Sequence, residues 1–411
     1  VKNVIEDVTC AGCCCVCDNI QVTTDGQQVL EVQTDCPQGQ AWFKQSVQTD
    51  SLTPLIKGVA ASHADAVTSA VDLIQKSQAP LIYGMAHSSV DGQRAAVALA
   101  DEIGATIDTN ASAATRALQQ VGEAPCTLGE VRSRADLIIY WGADNLLANE
   151  CHRQSLSSGN QEVPRTILSM GSENSISSEF VDKVISLEPQ QEIETIWSMR
   201  ALLKGVDPDE KQPMGISAAS LRELVGLIQQ SKYIVFFYGP EFKQGALAHR
   251  KIEALSLLMR EIQADRRCHG ISVPRAGETK GAENVLAWQT GYAASVNFAA
   301  GYPRYSPVEY SANALLEQGE IDLCILVGAN PLSGLSEAAQ QRLAQISVIL
   351  IGPTLEEIPG VNVFLPTGIS GIHFPGSVYR FDGTPLPLRG YVSTDQSSEA
   401  DVISNLISLV R

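Results

Sequence analysis

The chain has 411 residues, 44% of them apolar and 18% charged, with a formal net charge of -17. That composition describes a folded chain too long for one ordinary core, so two large lobes and smaller pieces are expected. Without clustered Lys and Arg a phosphate backbone has no counter-charge, which excludes nucleic-acid partners.

Apolar runs such as "YIVFFYG" and "SVILIGP" fall far short of the roughly 20 residues of a membrane helix, so no membrane partner is expected. The first residues show no charged-then-apolar leader, and the expected compartment is cytoplasmic.

The amino-terminal stretch "VTCAGCCCVCDNIQ" carries five of the ten cysteines. Cys10, Cys13 and Cys17 give the spacing C-x2-C-x3-C, and Cys36 follows further on. Between them "IQVTTDGQQVLEVQ" alternates around an Asp-Gly pair, which predicts a hairpin that returns Cys36 to the first loop. Three thiolates from one loop and a fourth from elsewhere suit a [4Fe-4S] cluster. Four thiolates also suit zinc, and the additional Cys14 and Cys15 leave room for disulfides. In a large chain without a leader, metal or redox use is the better reading of such a cluster than a disulfide framework.

Further along, strands alternate with helices. "APLIYGM" predicts a buried strand, and "SSVDGQRAAVALADEIG" a helix in which Ala95, Leu99 and Ile103 recur at helical spacing and Gly104 marks the stop. "ADLIIYWGADN" and "RTILSMG" are two more buried strands. A second set runs through "LRELVGLIQQ", "KYIVFFYG", "HRKIEALSLLMREI", "IDLCILVGANPL" and "ISVILIGP". This pattern predicts an α/β fold of two doubly wound parallel-sheet lobes. The expected division is a Cys-rich module at 1–55, a first lobe at 56–200, a second at 201–358, and a mainly β segment with a helix at 359–411. An internal echo supports two lobes: "DLIIYWGADNLL" (136–147) and "DLCILVGANPLS" (322–333) both end in a Gly-Ala turn, where open α/β sheets bind ligands. Duplication of a stable unit explains the echo equally well.

Simple chemistry finds little support. No G-x-G-x-x-G follows a strand and no Walker A lysine is present. The histidines His63, His87, His152, His249, His269 and His373 are isolated and read as surface or capping residues. "GMAHSS" lacks the G-x-S-x-G elbow of a serine hydrolase.

Together "CAGCCCVCDNI" with Cys36, "GEAPCTLGEVRSRADLIIYWGADN", "GAENVLAWQTGY", "GYPRYSP" and "YRFDGTPLPLR" resemble the B subunit of formylmethanofuran dehydrogenase, in the same order from about Cys10 to Arg389. The resemblance implies a molybdopterin-oxidoreductase-like fold. It also implies a cluster on Cys10, Cys13, Cys17 and Cys36, and tungsten or molybdenum on two pterin dinucleotides between the lobes, where carbon dioxide is reduced to formate.

The departures from that family concern the metal. Where the family has a ligating cysteine and a histidine, this chain has Ala114 and Thr115; Pro375 replaces an acidic residue, and Trp42 a lysine on the electron path. Arg275 matches a family arginine near the metal. A methyl group cannot ligate tungsten, and Thr115 does not titrate near neutral pH. The resemblance therefore implies a vestigial site at Ala114, Thr115 and Arg275, without tungsten, molybdenum or pterin.

The chain is most like the B subunit of the formyltransferase/hydrolase complex of one-carbon metabolism. There the D subunit moves a formyl group from tetrahydromethanopterin to a methanofuran-type carrier, and the A subunit, a zinc amidohydrolase, releases formate. The implied partners are A, C and D, and the implied role is structural. Two alternatives stay open: an active tungsten or molybdenum dehydrogenase with its ligand supplied otherwise, and a cluster-carrying electron-transfer protein.

Overall fold

The structure, a computed structural model, describes residues 2–49, 52–109, 113–157, 164–172, 180–207, 214–245, 247–275, 280–355, 358 and 360–411. The cysteine region is a small antiparallel sheet of β1 (Asn3–Val8), β2 (Ile20–Thr24) and β3 (Val29–Gln33), followed by the helix Pro37–Thr49. The predicted Asp-Gly turn joins β2 to β3. The Asp25 carboxylate accepts the backbone N–H groups of Gln27 and Gln28, each at 2.9 Å, and Gly26 takes a φ of 91° that a side chain would resist.

The chain then lays down β4 (Leu55–Ile56), β5 (Val59–Ala60), the helix His63–Lys76, β6 (Pro80–Ala86), the helix Val90–Ile103 and β7 (Thr106–Thr109). It next builds a separate sheet of β8 (Leu137–Trp141), β9 (Thr166–Gly171), β10 (Lys183–Ser186), β11 (Tyr233–Tyr238) and β12 (Arg267–Ser272). On its return it adds β13 (Val296–Asn297), β14 (Arg304–Tyr305), β15 (Leu323–Gly328), β16 (Ser347–Gly352) and β17 (Val361–Pro366). A hairpin of β18 (Gly376–Tyr379) and β19 (Pro385–Leu388) and the helix Glu399–Val410 close the chain.

The first sheet has the order β14-β13-β7-β6-β15-β16-β17-β4-β5, with β7, β6, β15, β16 and β17 parallel. The second, β10-β9-β8-β11-β12, is parallel throughout. The compact units are residues 1–111 with 276–411, and residues 112–275. This corrects the sequence division at 56–200 and 201–358: the second unit is inserted into the first, and β6 finds its parallel partner β15 more than two hundred positions on. Hydrophobic period reveals strands but not which of them pair. The terminal segment carries β17, β18, β19 and the last helix. Val402, Ile403 and Leu406 of the last helix join the core on one face of the large sheet, with Ile325 and Val327 of β15. Cys324 and Leu326 face the core on the other side, the two-sided burial of a parallel strand.

The internal echo has a structural cause. The Asp136 carboxylate accepts the N–H groups of Lys232 and Tyr233 at 2.8 and 2.9 Å, where β11 begins. Asp322 does the same for Gln78 and Ala79 at 2.7 and 3.2 Å, just before β6. In each unit the aspartate before a central strand fixes the start of the strand beside it, satisfying amides that a strand entry would leave orphaned.

Candidate functional site

Three of the four predicted cysteines meet in one corner of the amino-terminal module. The Cys10 N–H donates to the Cys17 carbonyl at 2.8 Å. The Cys10 Sγ and Cys36 Cβ lie 3.6 and 3.7 Å from the point a β-carbon on Gly39 would occupy. Cys13 sits in the tight loop between Cys10 and Cys17, where its thiol accepts a hydrogen bond from Cys15 that lowers its pKa to about 7, with burial working against the shift. Cys15, as donor, is pushed up.

Among the described residues, no three His, Cys, Asp or Glu side chains are gathered closely enough for a single metal ion. Zinc needs four ligands within one tetrahedron, whereas a cubane spreads its thiolates over separate irons. By its chemistry, four thiols of which three come from one loop, the donor set is of the kind a [4Fe-4S] cluster takes.

Trp42 joins this module to the carboxyl-terminal loops. Its side chain is 6% exposed and packs with Phe43, Ile369, Ile372 and Leu388. A β-carbon on Gly12 would lie 2.7 Å from Trp42 Cβ, and one on Gly371 would lie 3.2 Å from the indole ring. Trp42 is thus a packing residue in this structure. Pro375, by contrast, is exposed ahead of β18.

Beside Trp42 a cavity of about 380 Å3 opens at the carboxyl ends of β6, β15, β16 and β17. Chain order reverses between β6 and β15, the place where open α/β sheets bind ligands. The backbone there is forced: Met85, His87 and Asn330 take φ of 65°, 60° and 51°, and a β-carbon on Gly84 would lie 2.6 Å from the Val327 carbonyl. Strain of this kind concentrates at functional sites. His87 Nδ1 donates to the Ala11 carbonyl at 2.8 Å, tying the cysteine loop to the end of β6, and burial lowers its pKa.

Glu399 borders the same cavity and is 6% exposed. Burial pushes its carboxyl up to about 7, while Ser88 acts the other way. Sequence reasoning missed Glu399, because an acid in the first turn of a helix normally serves the dipole from the surface.

In the second unit, Ala114 and Thr115 lie in the first turn of the helix Ala113–Val121, with Thr115 buried; residues 110–112 before them lie outside the described residues. Arg275, exposed, is followed by residues 276–279, also outside the described residues. Burial lifts the Glu241 carboxyl, Asp144 adds to the lift, and Arg275 and Lys243 oppose it. These four charges share the carboxyl end of the second sheet. Ala114 and Thr115 offer no thiolate and no group that titrates near neutral pH, so this donor set does not fit tungsten or molybdenum.

The histidines need a partial correction. His63 opens a surface helix, but His152 is 3% exposed in the second unit, its Nε2 sharing a hydrogen bond of 2.8 Å with Tyr140 Oη. Burial lowers it to about 3, so it stays neutral.

Two doubly wound α/β units preceded by a cysteine module define a molybdopterin-enzyme-like fold. Acetylene hydratase from Pelobacter acetylenicus superposes with a TM-score of 0.67 at 11% identity, covering 99% of this chain and 70% of that one. A chain of the formyltransferase/hydrolase complex (FhcABCD) from Methylorubrum extorquens, solved with methylofuran, gives 0.72 at 21% identity, covering 87% of this chain and 98% of that one.

By sequence the chain is similar to formylmethanofuran dehydrogenase B subunits. It is 28% identical over 433 residues to the B subunit of the tungsten-containing formylmethanofuran dehydrogenase 2 of Methanocaldococcus jannaschii, covering 99% of both chains. The Methanococcus maripaludis protein of that name is 27% identical over 436 residues, again covering 99% of both. The B subunit of the formyltransferase/hydrolase complex Fhc of Methylorubrum extorquens is 26% identical over 335 residues, 79% of this chain and 87% of that one. No family model matches the chain.

Proposed function

We propose that this chain is the B subunit of a cytoplasmic formyltransferase/hydrolase complex in one-carbon metabolism, with a structural role and with its redox metal site lost. The observation that carries this is the pair Ala114-Thr115, which leaves the redox centre without a metal ligand or a proton-transfer group. Chemistry then belongs to the partners: an amidohydrolase-type A subunit, a formyltransferase D subunit and a C subunit. Trp42 and its apolar neighbours hold the cysteine module to the carboxyl-terminal loops, which supports a structural role.

Cys10, Cys13, Cys17 and Cys36 would hold a [4Fe-4S] cluster, which supplies one-electron storage when bound and staples the module. A second reading, an active tungsten or molybdenum dehydrogenase that reduces carbon dioxide to formate, is favoured by this retained quartet. It is also favoured by full-length similarity to the two methanogen proteins.

Purification of the tagged chain from cells expressing all four subunits, with elemental analysis, separates the two. Co-purification of A, C and D without tungsten or molybdenum is expected; stoichiometric tungsten or molybdenum selects the dehydrogenase, and a stable free monomer overturns the structural role. For the cluster, iron and acid-labile sulfide in the anaerobic parent should fall in Cys13→Ser. Equal iron in both, or none in the parent, shows that the quartet holds no cluster.

A further inference from the structure

Two helix amino ends converge beside the unit-1 cavity. The helix Val90–Ile103 starts at the Ser89 cap, whose Oγ accepts the Gly92 N–H at 3.3 Å, and the helix Glu399–Val410 starts at the Ser398 cap, whose Oγ accepts the Asp401 N–H at 3.1 Å. Both helices are long enough for their amide dipoles to sum to a positive end, and such an end at the reversal of strand order is where ligand phosphates rest in open α/β sheets.

Here the position is filled from within. Glu399 is buried, its Oε1 has no hydrogen-bond partner, and its carboxylate takes the space that a β-carbon on Gly92 would need. A further acceptor of the same turn, Gln93 Oε1, is also buried without a partner. A first-turn acid kept only for its own helix would face water, as Asp401 does. Among the described residues lining the cavity there is no lysine or arginine, so a phosphate would find no side-chain cation to offset this carboxylate.

We propose that Glu399 is a built-in anion that occupies the phosphate position at the head of these two helices and closes the cavity to phosphate-bearing ligands. The pterin dinucleotide that the family resemblance implies carries a diphosphate, which would have to displace a buried carboxylate of like charge. The residues present therefore do not fit that group at this corner. Glu399 holds this position whether or not the partner subunits assemble, so failed assembly and failed exclusion of phosphate are separate results.

The test is titration of the full chain with inorganic pyrophosphate at pH 8, read by isothermal calorimetry, with hydrogen exchange at residues 88–93 to locate binding. The parent is expected to show no saturable binding at millimolar pyrophosphate. Glu399→Ala should bind on the order of 100-fold more tightly and protect residues 88–93, as expected when one like charge leaves a low-dielectric site. Glu399→Gln keeps the shape and removes the charge, so it carries the test if the alanine variant does not fold. Binding by the parent that protects residues 88–93, or no gain in the variants, overturns the proposal.

Discussion

Replacing Lys251 by Met should destabilise the second unit in a strongly pH-dependent way. The Lys251 ammonium pairs with the Glu192 carboxylate, each side chain 5% exposed, within reach of the Phe242 ring. Burial pushes Glu192 up to about 7 even with Lys251 pulling it down. Without the lysine, the folded chain escapes a bare buried charge by protonating Glu192. Relative to the parent, whose Glu192 already sits at about 7, that costs about 1.36 kcal/mol for each pH unit above 7, or about 1.4 kcal/mol at pH 8, and next to nothing at pH 5.5. Hydrogen exchange of the helices Glu192–Leu203 and Ala248–Ile262 reports this unit alone, which matters because a chain of two units need not unfold in one step. Lys251→Met with Glu192→Gln should recover most of the loss at pH 8. An equal loss at pH 8 and pH 5.5, or no rescue by the second substitution, would refute the reasoning.

The first unit should also grow more stable on mild acidification. Burial pushes Asp108 up to about 6 and Glu399 up to about 7, so the folded chain holds both protons more tightly than the unfolded one. That stability is fully present near pH 4 and is lost as pH rises through 6 and 7, about 3 kcal/mol for each group. Thermal melts of the parent and of Asp108→Asn with Glu399→Gln between pH 5 and pH 8 check this, and a flat profile in the parent counts against it. Trp42→Ala should cost about 3–5 kcal/mol, seen as faster exchange in β1 to β3, because the indole fills space between Gly12 and Gly371 that the backbone cannot collapse into.

What was legible in the sequence follows from the range of the signal. The hairpin around Asp25 and Gly26, and the helix from the Ser89 cap to Gly104, where φ is 66°, are fixed by nearby residues and stand as read. The pairing of β6 with β15 depends on contacts between distant segments, so the lobe boundaries were misplaced. Site residues divide the same way. The cysteine quartet shows as a spacing, whereas Glu399 reaches the cavity only because the last helix packs on the first unit's sheet. His152 looked like an isolated polar residue, and only Tyr140 and Phe237 around it explain its burial.

The proposed loss of a metal ligand is compatible with the survival of the fold because separate residues serve the two. Asp136 and Asp322 fix strand starts at the amino ends of the sheets, while ligands bind at the carboxyl ends. The Lys251–Glu192 pair and the Trp42 packing supply cohesion from side chains that need no metal. Having Ala114 and Thr115 where the family has a ligand and a histidine touches none of these, so on the proposed structural role a chain retained for its surfaces can lose the redox centre and keep its architecture. The carboxyl ends are then free to diverge: in the first unit a carboxylate and an indole border the cavity, and in the second the charges of Asp144, Glu241, Lys243 and Arg275 remain. Cohesion at one end of a parallel sheet and chemistry at the other is what would allow an enzyme component to become a scaffold in small steps, the course proposed for this chain.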